Sequence, residues 1–281
     1  MVKYTIGDAL RQGIALLNEN KIESASLDAR ILLCHVLGCD KLYLTVHRDD
    51  ALTAEQMSAY DVCLKRRCKN EPVSYITGIK EFMSLDFRVK SGVLIPRPDT
   101  EILVERVISE LEGMNTPVII DMCTGSGAIA VSLAHYIEDA RVTALDISDT
   151  ALELALQNAE ANGVNIEVTR HDVLTPFAAK ADAVVSNPPY IPTNEVDTLE
   201  ADVHDYEPHL ALDGGGDGLN FYRAIVNNIS FSLKKGGLLA FEVGCGLAPA
   251  VKELMETCFD RVTVEKDTAG IDRVVYGYYM K

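Results

Sequence analysis

The apolar positions of this chain change period along its length. From residue 6 to about residue 68 they recur at helical spacing: Ala9, Ile14, Leu16 and Leu17, then Leu27, Ile31, Leu32, Val36 and Leu37, then Leu52, Met57, Tyr60 and Leu64. Ser26 or Asp28 is placed to cap the second stripe. Thr53, with Gln56 three residues on, writes a capping box before the third. Between Glu71-Pro72 and Pro96-Arg97-Pro98 the texture turns extended, and residues 82–89 and 93–95 flank Ser91-Gly92, which predicts a hairpin. Asp99 or Thr100 then caps a helix running to about residue 112.

From Pro117 strand and helix alternate. Residues 118–122, 141–147, 166–169, 181–186 and 238–243 are strand-like, and helices are expected at 127–136, 150–162 and 219–233. That alternation specifies a parallel sheet with helices on both faces, because parallel strands need a crossover between them. Residues 261–265 and 273–280 are separated by too short a loop for a crossover, so the last strand is expected to be antiparallel to its predecessor. The predicted fold is α/β: a Rossmann-like, mostly parallel sheet with its last strand antiparallel, a small all-helical N-terminal domain and a β-hairpin linker. The expected boundaries are 1–80, 81–97 and 98–281.

Chemistry gathers at two strand ends. Strand 181–186 stops at Asn187-Pro188-Pro189-Tyr190, and prolines there stiffen the backbone and remove N–H donors. Asn187 offers one carbonyl acceptor and two amide donors, the proline carbonyls are unopposed acceptors, and Tyr190 adds a flat face, a set suited to a planar group bearing an NH2. The bland alternative is a strand followed by a Pro-rich turn. The first strand runs into Asp121-Met122-Cys123-Thr124-Gly125-Ser126-Gly127-Ala128, a glycine loop opening a helix, and Asp146 ends the second strand where an acidic side chain can bind a ribose diol. Because Gly125 to Ala130 also fits G-x-G-x-x-A, a nicotinamide or flavin enzyme is the rival reading. Asp121 would repel a pyrophosphate but attract an ammonium, and Asp172, in His171-Asp172-Val173, can accept from an adenine amino group. S-adenosylmethionine, with adenine, ribose, an amino acid and no phosphate, uses all of these groups. Ordinary strand-end capping is the alternative for Asp146 and Asp172 taken singly.

Composition narrows the partners. With 42 acidic against 26 basic residues and a net charge of -16, a broad phosphate-binding face is not expected, and neither is direct nucleic-acid binding. Lys65, Arg66, Arg67 and Lys69 form one basic run, read as a solvated helix face or, as a second choice, a docking surface. Seven cysteines without a C-x-x-C pair argue against a zinc ribbon or a disulfide framework, and no metal site is expected. Residues 1–10 carry no apolar h-region and no stretch approaches the ~20 apolar residues that span a bilayer, so a cytoplasmic chain off the membrane is expected, as is a monomer.

These motifs together resemble class I S-adenosylmethionine-dependent methyltransferases, specifically the HemK/PrmC family of protein-(glutamine-N5) methyltransferases. The resemblance covers essentially the whole chain, including Glu71 to Gly78, Leu94-Ile95-Pro96-Arg97-Pro98-Asp99-Thr100-Glu101, the glycine loop, Asn187 to Tyr190, and Ala211 to Leu219. It implies that Asp121, Cys123, Thr124, Gly125, Ser126, Gly127, Asp146, Asp172, Val173 and Asn187 bind S-adenosylmethionine. It further implies that Asn187, Pro188, Pro189, Tyr190 and Arg97 meet the substrate, with Asn187 and the Pro188 carbonyl on its amide and Tyr190 on its plane. The implied acceptor is the glutamine of a Gly-Gly-Gln loop in peptide chain release factors. Adenine-N6 methyltransferases acting on DNA or RNA share Asn-Pro-Pro-Tyr and are the alternative; a non-catalytic binding module is another. One departure is Cys123, where the family has its first glycine. A positive backbone angle there would strain it. Glu207, His204 and His209 are assigned no role.

Overall fold

The computed structural model describes residues 4–281, so the first three residues of the expected domain 1–80 lie outside the described residues. The chain forms two compact units. One takes the chain up to Gly78 together with Glu200–Tyr206; the other takes Ile79–Leu199 and Glu207–Lys281.

The first unit is helical, with α1 (Ile6–Glu19), α2 (Ala25–Leu37), α3 (Lys41–Val46), α4 (Ala54–Arg67) and α5 (Val73–Thr77). Its core is built from the expected stripes, including Leu17, Leu32, Leu33, Tyr60 and Leu64. Thr53 and Gln56 make the capping box at the start of α4. Ser26 and Asp28, by contrast, do not cap α2: the helix begins at Ala25, and both lie inside it. Asp28 is buried because it serves another partner, accepting from Ser24 Oγ and from Arg67 Nε, each at 2.7 Å. The basic run is therefore only partly a solvated face. Arg67 is buried on Asp28, Arg66 is bonded to Glu71 at 2.5 Å, and Lys65 pairs with Asp61 at 2.6 Å.

The second unit opens with a hairpin of β1 (Ile79–Phe82) and β2 (Leu85–Arg88), so the extended segment belongs to this body. Its turn falls at Met83-Ser84, not at Ser91-Gly92, and residues 93–95 are not a strand. Met83 and Ser84 both take positive φ, 50° and 57°, the backbone of a hairpin turn of the primed kind, usually built from Asn and Gly. Distant bonds hold these unsuited residues there: Met83 N–H donates to Glu101 Oε1 at 2.8 Å, and its carbonyl accepts from Tyr136 Oη at 2.6 Å. Next come α6 (Thr100–Glu110), β3 (Val118–Met122), α7 (Ala128–Tyr136), β4 (Arg141–Asp146), α8 (Asp149–Ala161), β5 (Glu167–Arg170) and β6 (Ala181–Ser186). They are followed by α9 (Thr193–Val196), α10 (Ala201–His204, in the first unit), α11 (Asn220–Ser232), β7 (Leu233–Glu242), α12 (Ala248–Glu256), β8 (Phe259–Lys266) and β9 (Asp272–Tyr279).

Seven of these strands form one sheet in the order β5-β4-β3-β6-β7-β9-β8. The first five pair in parallel, while β9 runs antiparallel to both β7 and β8. Two apolar cores cover its faces, one around Tyr222, Phe241 and Val184, the other around Leu103, Ile119 and Val185. Neighbouring β6 residues thus serve opposite cores, which is why the run is β-branched without alternation.

Neither Asp99 nor Thr100 caps α6 with its side chain. Asp99 pairs with Arg273 at 3.1 Å and the Thr100 hydroxyl turns to Glu242.

Removing one partner of the Arg67–Asp28 pair leaves a buried, unpaired charge. Arg67→Met is expected to destabilise the helical unit by about 3–5 kcal/mol in urea unfolding, and adding Asp28→Leu to recover much of that loss. Equal stability of Arg67→Met and the parent would show the pair to be irrelevant.

Candidate active site

Strand order reverses around β3, whose neighbours are β4 on one side and β6 on the other. At such a switch point the loops leaving the two carboxyl ends diverge and open a crevice. Register makes this concrete: Met122 pairs with Leu145 and with Ser186, so Cys123, Asp146 and Asn187 leave adjacent strands at one level. Ser186 Oγ donates to the Met122 carbonyl at 2.6 Å, tying the glycine loop to the Asn-Pro-Pro loop.

A cavity at this edge is lined by Cys123, Thr124, Gly125, Ser126, Asp146, Asp172, Val173, Asn187, Pro189 and Arg97, all among the residues expected there. Four others do not line it. Gly127, at φ +82°, turns its Cα toward α8, where a Cβ would stand 2.8 Å from the Ala155 Cβ. Pro188 is buried beneath the loop. The Tyr190 ring lies against Gly244, and its hydroxyl points to Glu242 at 3.4 Å. Asp121, expected to face an ammonium, is instead sealed behind the loop, its Oδ2 accepting from Thr124 Oγ1 at 2.6 Å. Burial pushes the Asp121 carboxyl up to about 7, against the stabilising Thr124 bond.

The glycine loop spends its own donors. Thr124 N–H bonds the Leu145 carbonyl at 2.9 Å, Gly125 N–H bonds Asp146 Oδ2 at 2.9 Å, and Gly127 N–H bonds the Thr124 carbonyl at 2.9 Å. A pyrophosphate needs those amides, so the arrangement disfavours a dinucleotide. It leaves an acidic, amide-poor rim suited to hydroxyls and amines. Asp146 accepts from Gly125 and Ser148, is pushed up by burial, and keeps lone pairs on both oxygens for a diol. Asp172 Oδ1 accepts from the Leu174 N–H at 3.0 Å, leaving Oδ2 available to an amino group. Ile147, Val173, Leu174 and Ala151 supply apolar walls.

Cys123 does take a positive angle, φ +63°, so the missing glycine matters. Cys123 is partly buried and packs against the core around Tyr222, and desolvation first, then Asp146 and Asp121, raises its thiol above the ordinary range.

Several site residues escaped the sequence reading. Asn187 Nδ2 donates to Thr100 Oγ1 at 3.3 Å, and Thr100 Oγ1 donates to Glu242 Oε2 at 2.5 Å. Glu207 is buried, accepting from Ile95 N–H at 3.3 Å and from Arg97 at 2.5 Å. Two glycines of the run after Ala211 are required by close approach to Tyr190: a Cβ at Gly218 would stand 2.3 Å from the Tyr190 carbonyl oxygen, and one at Gly214 2.6 Å from the Tyr190 Cα. A carboxylate at the end of an apolar strand, as in Phe241-Glu242-Val243, was the available signal for Glu242.

Two measurements follow. Cys123→Gly is expected to be at least as stable as the parent and Cys123→Val less stable by about 2 kcal/mol, since a β-branched residue is worst suited to this angle; the reverse order in urea unfolding would remove the strain. Asp121 binds its proton more tightly folded than unfolded, so its contribution is full below pH 4 or so and is lost as pH rises to about 7. The stability of the parent relative to Asp121→Asn should fall across that window and level off above it. A flat difference would contradict the buried carboxyl.

Comparison with known proteins identifies the family. The family described as PrmC N-terminal domain matches residues 8–78, and the one described as methyltransferase small domain matches residues 98–217. The chain is similar to the release factor glutamine methyltransferase of Clostridium acetobutylicum, 43% identical over 278 residues that cover 96% of this chain and 97% of the relative. It is 42% identical to that of Moorella thermoacetica, over 98% of both chains. The ribosomal protein L11 methylase of Lactobacillus delbrueckii subsp. bulgaricus superposes with a TM-score of 0.51 at 18% identity, over 69% of this chain and 86% of that one, which speaks for the fold alone. By its near full-length identity to such relatives, the chain belongs to the release factor glutamine methyltransferase family.

Proposed function

We propose that this chain transfers the methyl group of S-adenosylmethionine to the side-chain amide nitrogen (N5) of the glutamine in the Gly-Gly-Gln motif of peptide chain release factors. Family membership supports the reaction, and one observation carries the site: Asn187 lines the cavity with its Nδ2 already donated to Thr100, which leaves Oδ1 as the end available to a substrate N–H.

An amide nitrogen is a poor nucleophile because its lone pair is delocalised. Asn187 Oδ1 accepts an N–H bond of the substrate carboxamide, which orients the nitrogen; Pro188, the expected second acceptor, is buried and does not line the cavity, so its carbonyl is given no contact with the substrate. Positioning of this kind supplies as much as ~7–11 kcal/mol. Bound S-adenosylmethionine supplies an electrophilic methyl on a sulfonium. Asp146 would hold its ribose and Asp172 its adenine amino group, with Cys123 to Ser126 of the glycine loop beside the amino acid. Arg97, at the cavity edge, meets the release-factor loop. Tyr190 braces the Asn-Pro-Pro loop from behind, a role that suits its position outside the cavity better than stacking on the substrate. A methylated amide cation loses its proton readily, so Glu207, already held by Arg97 and Ile95, is given no role as a base.

A charge of -16 favours a protein substrate over nucleic acid. No described helix is long and apolar enough to cross a membrane. A cytoplasmic monomer completes the reading.

Labelled S-adenosylmethionine and purified release factors test it. The label is expected on the Gly-Gly-Gln glutamine by mass spectrometry, and Asn187→Ala should lower kcat/KM about 100-fold or more. Label on nucleic acid or on another residue, or near-normal turnover of Asn187→Ala, would overturn the proposal.

A further inference from the structure

Glu242 ends β7 and is 1% exposed. A carboxylate so far from water persists only where hydrogen bonds replace its hydration. It has them: Oε2 accepts from Thr100 Oγ1 at 2.5 Å, and Oε1 faces the Tyr190 hydroxyl at 3.4 Å. Its backbone carbonyl accepts from Tyr222 Oη at 2.9 Å.

The direction of this chain of bonds follows from donor counting. An ionised carboxylate only accepts, and a hydroxyl carries one hydrogen. Thr100 must therefore give its hydrogen to Glu242, so its oxygen receives one from Asn187. That assigns Asn187 Nδ2 to the protein side and leaves Oδ1 for the cavity. The same carboxylate takes the hydroxyl of Tyr190, three residues along the same stiff loop.

We propose that Glu242 is a positioning residue for methyl transfer: through Thr100 it dictates which end of the Asn187 carboxamide faces the substrate, and through Tyr190 it clamps the loop that carries Asn187. The inference rests on the function proposed above. Burial raises the Glu242 carboxyl to about 6; Thr100, Arg273 and Tyr190 oppose that rise and Asp99 adds to it. The groups facing it are thus Thr100 and Asp99 from the start of α6, Tyr190 from the loop after β6, Tyr222 from α11 and Arg273 from β9. Protonated Glu242 can itself donate to Thr100, which frees the Thr100 hydrogen to turn toward Asn187 and removes the preference for Oδ1 outward.

The test uses the full chain with Glu242→Gln, Thr100→Val and Thr100→Ser. Glutamine keeps the size but makes one end of the group a donor; valine removes the hydroxyl; serine restores it. For release-factor methylation, kcat is expected to fall by about 10- to 100-fold in Glu242→Gln and Thr100→Val and to recover in Thr100→Ser, with cofactor affinity by calorimetry unchanged. Independently of activity, the Asn187 side-chain NH2 resonance, assigned by its loss in Asn187→Ala, is expected to titrate with a midpoint near pH 6 in the parent and to stay fixed in Glu242→Gln. Wild-type kcat in both Glu242→Gln and Thr100→Val, or an Asn187 resonance that neither substitution shifts from its parent position, overturns the proposal. Should Glu242→Gln fail to fold, Thr100→Val decides it by the same two readouts. If the parent methylates no release factor yet its Asn187 resonance still follows Glu242, the proposed function fails and the positioning role stands.

Discussion

Parallel pairing of β3 with β6, in the register that sets Met122 beside Ser186, places the glycine loop and the Asn-Pro-Pro loop side by side. Side chains alternate between faces with a period of two, so a slip of one residue would exchange the residues of β6 between the two cores. The Ser186 hydroxyl on the Met122 carbonyl reinforces the register at the end where it matters. Everything at the site inherits its geometry from that junction. Cys123, Asp146 and Asn187 need no further device to share a cavity, because three adjacent strands end at the same height.

The site carries two costs. Asp121 is a fully buried carboxyl, and Cys123 holds a backbone angle suited to glycine. Both flank the turn that folds the glycine loop back onto Leu145 and Asp146. With the Thr124, Gly125 and Gly127 amides spent on Leu145, Asp146 and Thr124, the loop offers little to a phosphate, while Asp146 and Asp172, past the ends of neighbouring strands, line the cavity. Selectivity for an adenosine bearing an amino acid over a dinucleotide follows from how the loop spends its donors, not from the glycine spacing.

Much of the fold was readable along the chain. The sheet strands announce themselves because buried parallel strands are continuous apolar runs, and the short link before β9 forces its antiparallel course. Thr53 and Gln56 were legible because a capping box is local. What escaped depends on distant partners. The hairpin turns at Met83-Ser84 because Glu101 and Tyr136 hold it, and no turn chemistry marks the place. Ser26, Asp28, Asp99 and Thr100 looked like caps, yet Asp28 is spent on Arg67, Asp99 on Arg273 and Thr100 on Glu242. At the cavity, Asn187, Asp146 and Asp172 were legible because each stands at or just past the carboxyl end of a strand. Glu242 and Glu207 were missed because a buried carboxylate is recognised by what it touches.

The central claim is that Asn187 presents an oxygen, held by a buried relay, to the amide of a glutamine at the β3–β6 junction. A crystal structure with S-adenosylhomocysteine and free glutamine bound measures it most directly. The account predicts the glutamine carboxamide nitrogen within hydrogen-bonding distance of Asn187 Oδ1, between that oxygen and the sulfur. A glutamine bound elsewhere, or an Asn187 carboxamide turned with Nδ2 into the cavity, would contradict it.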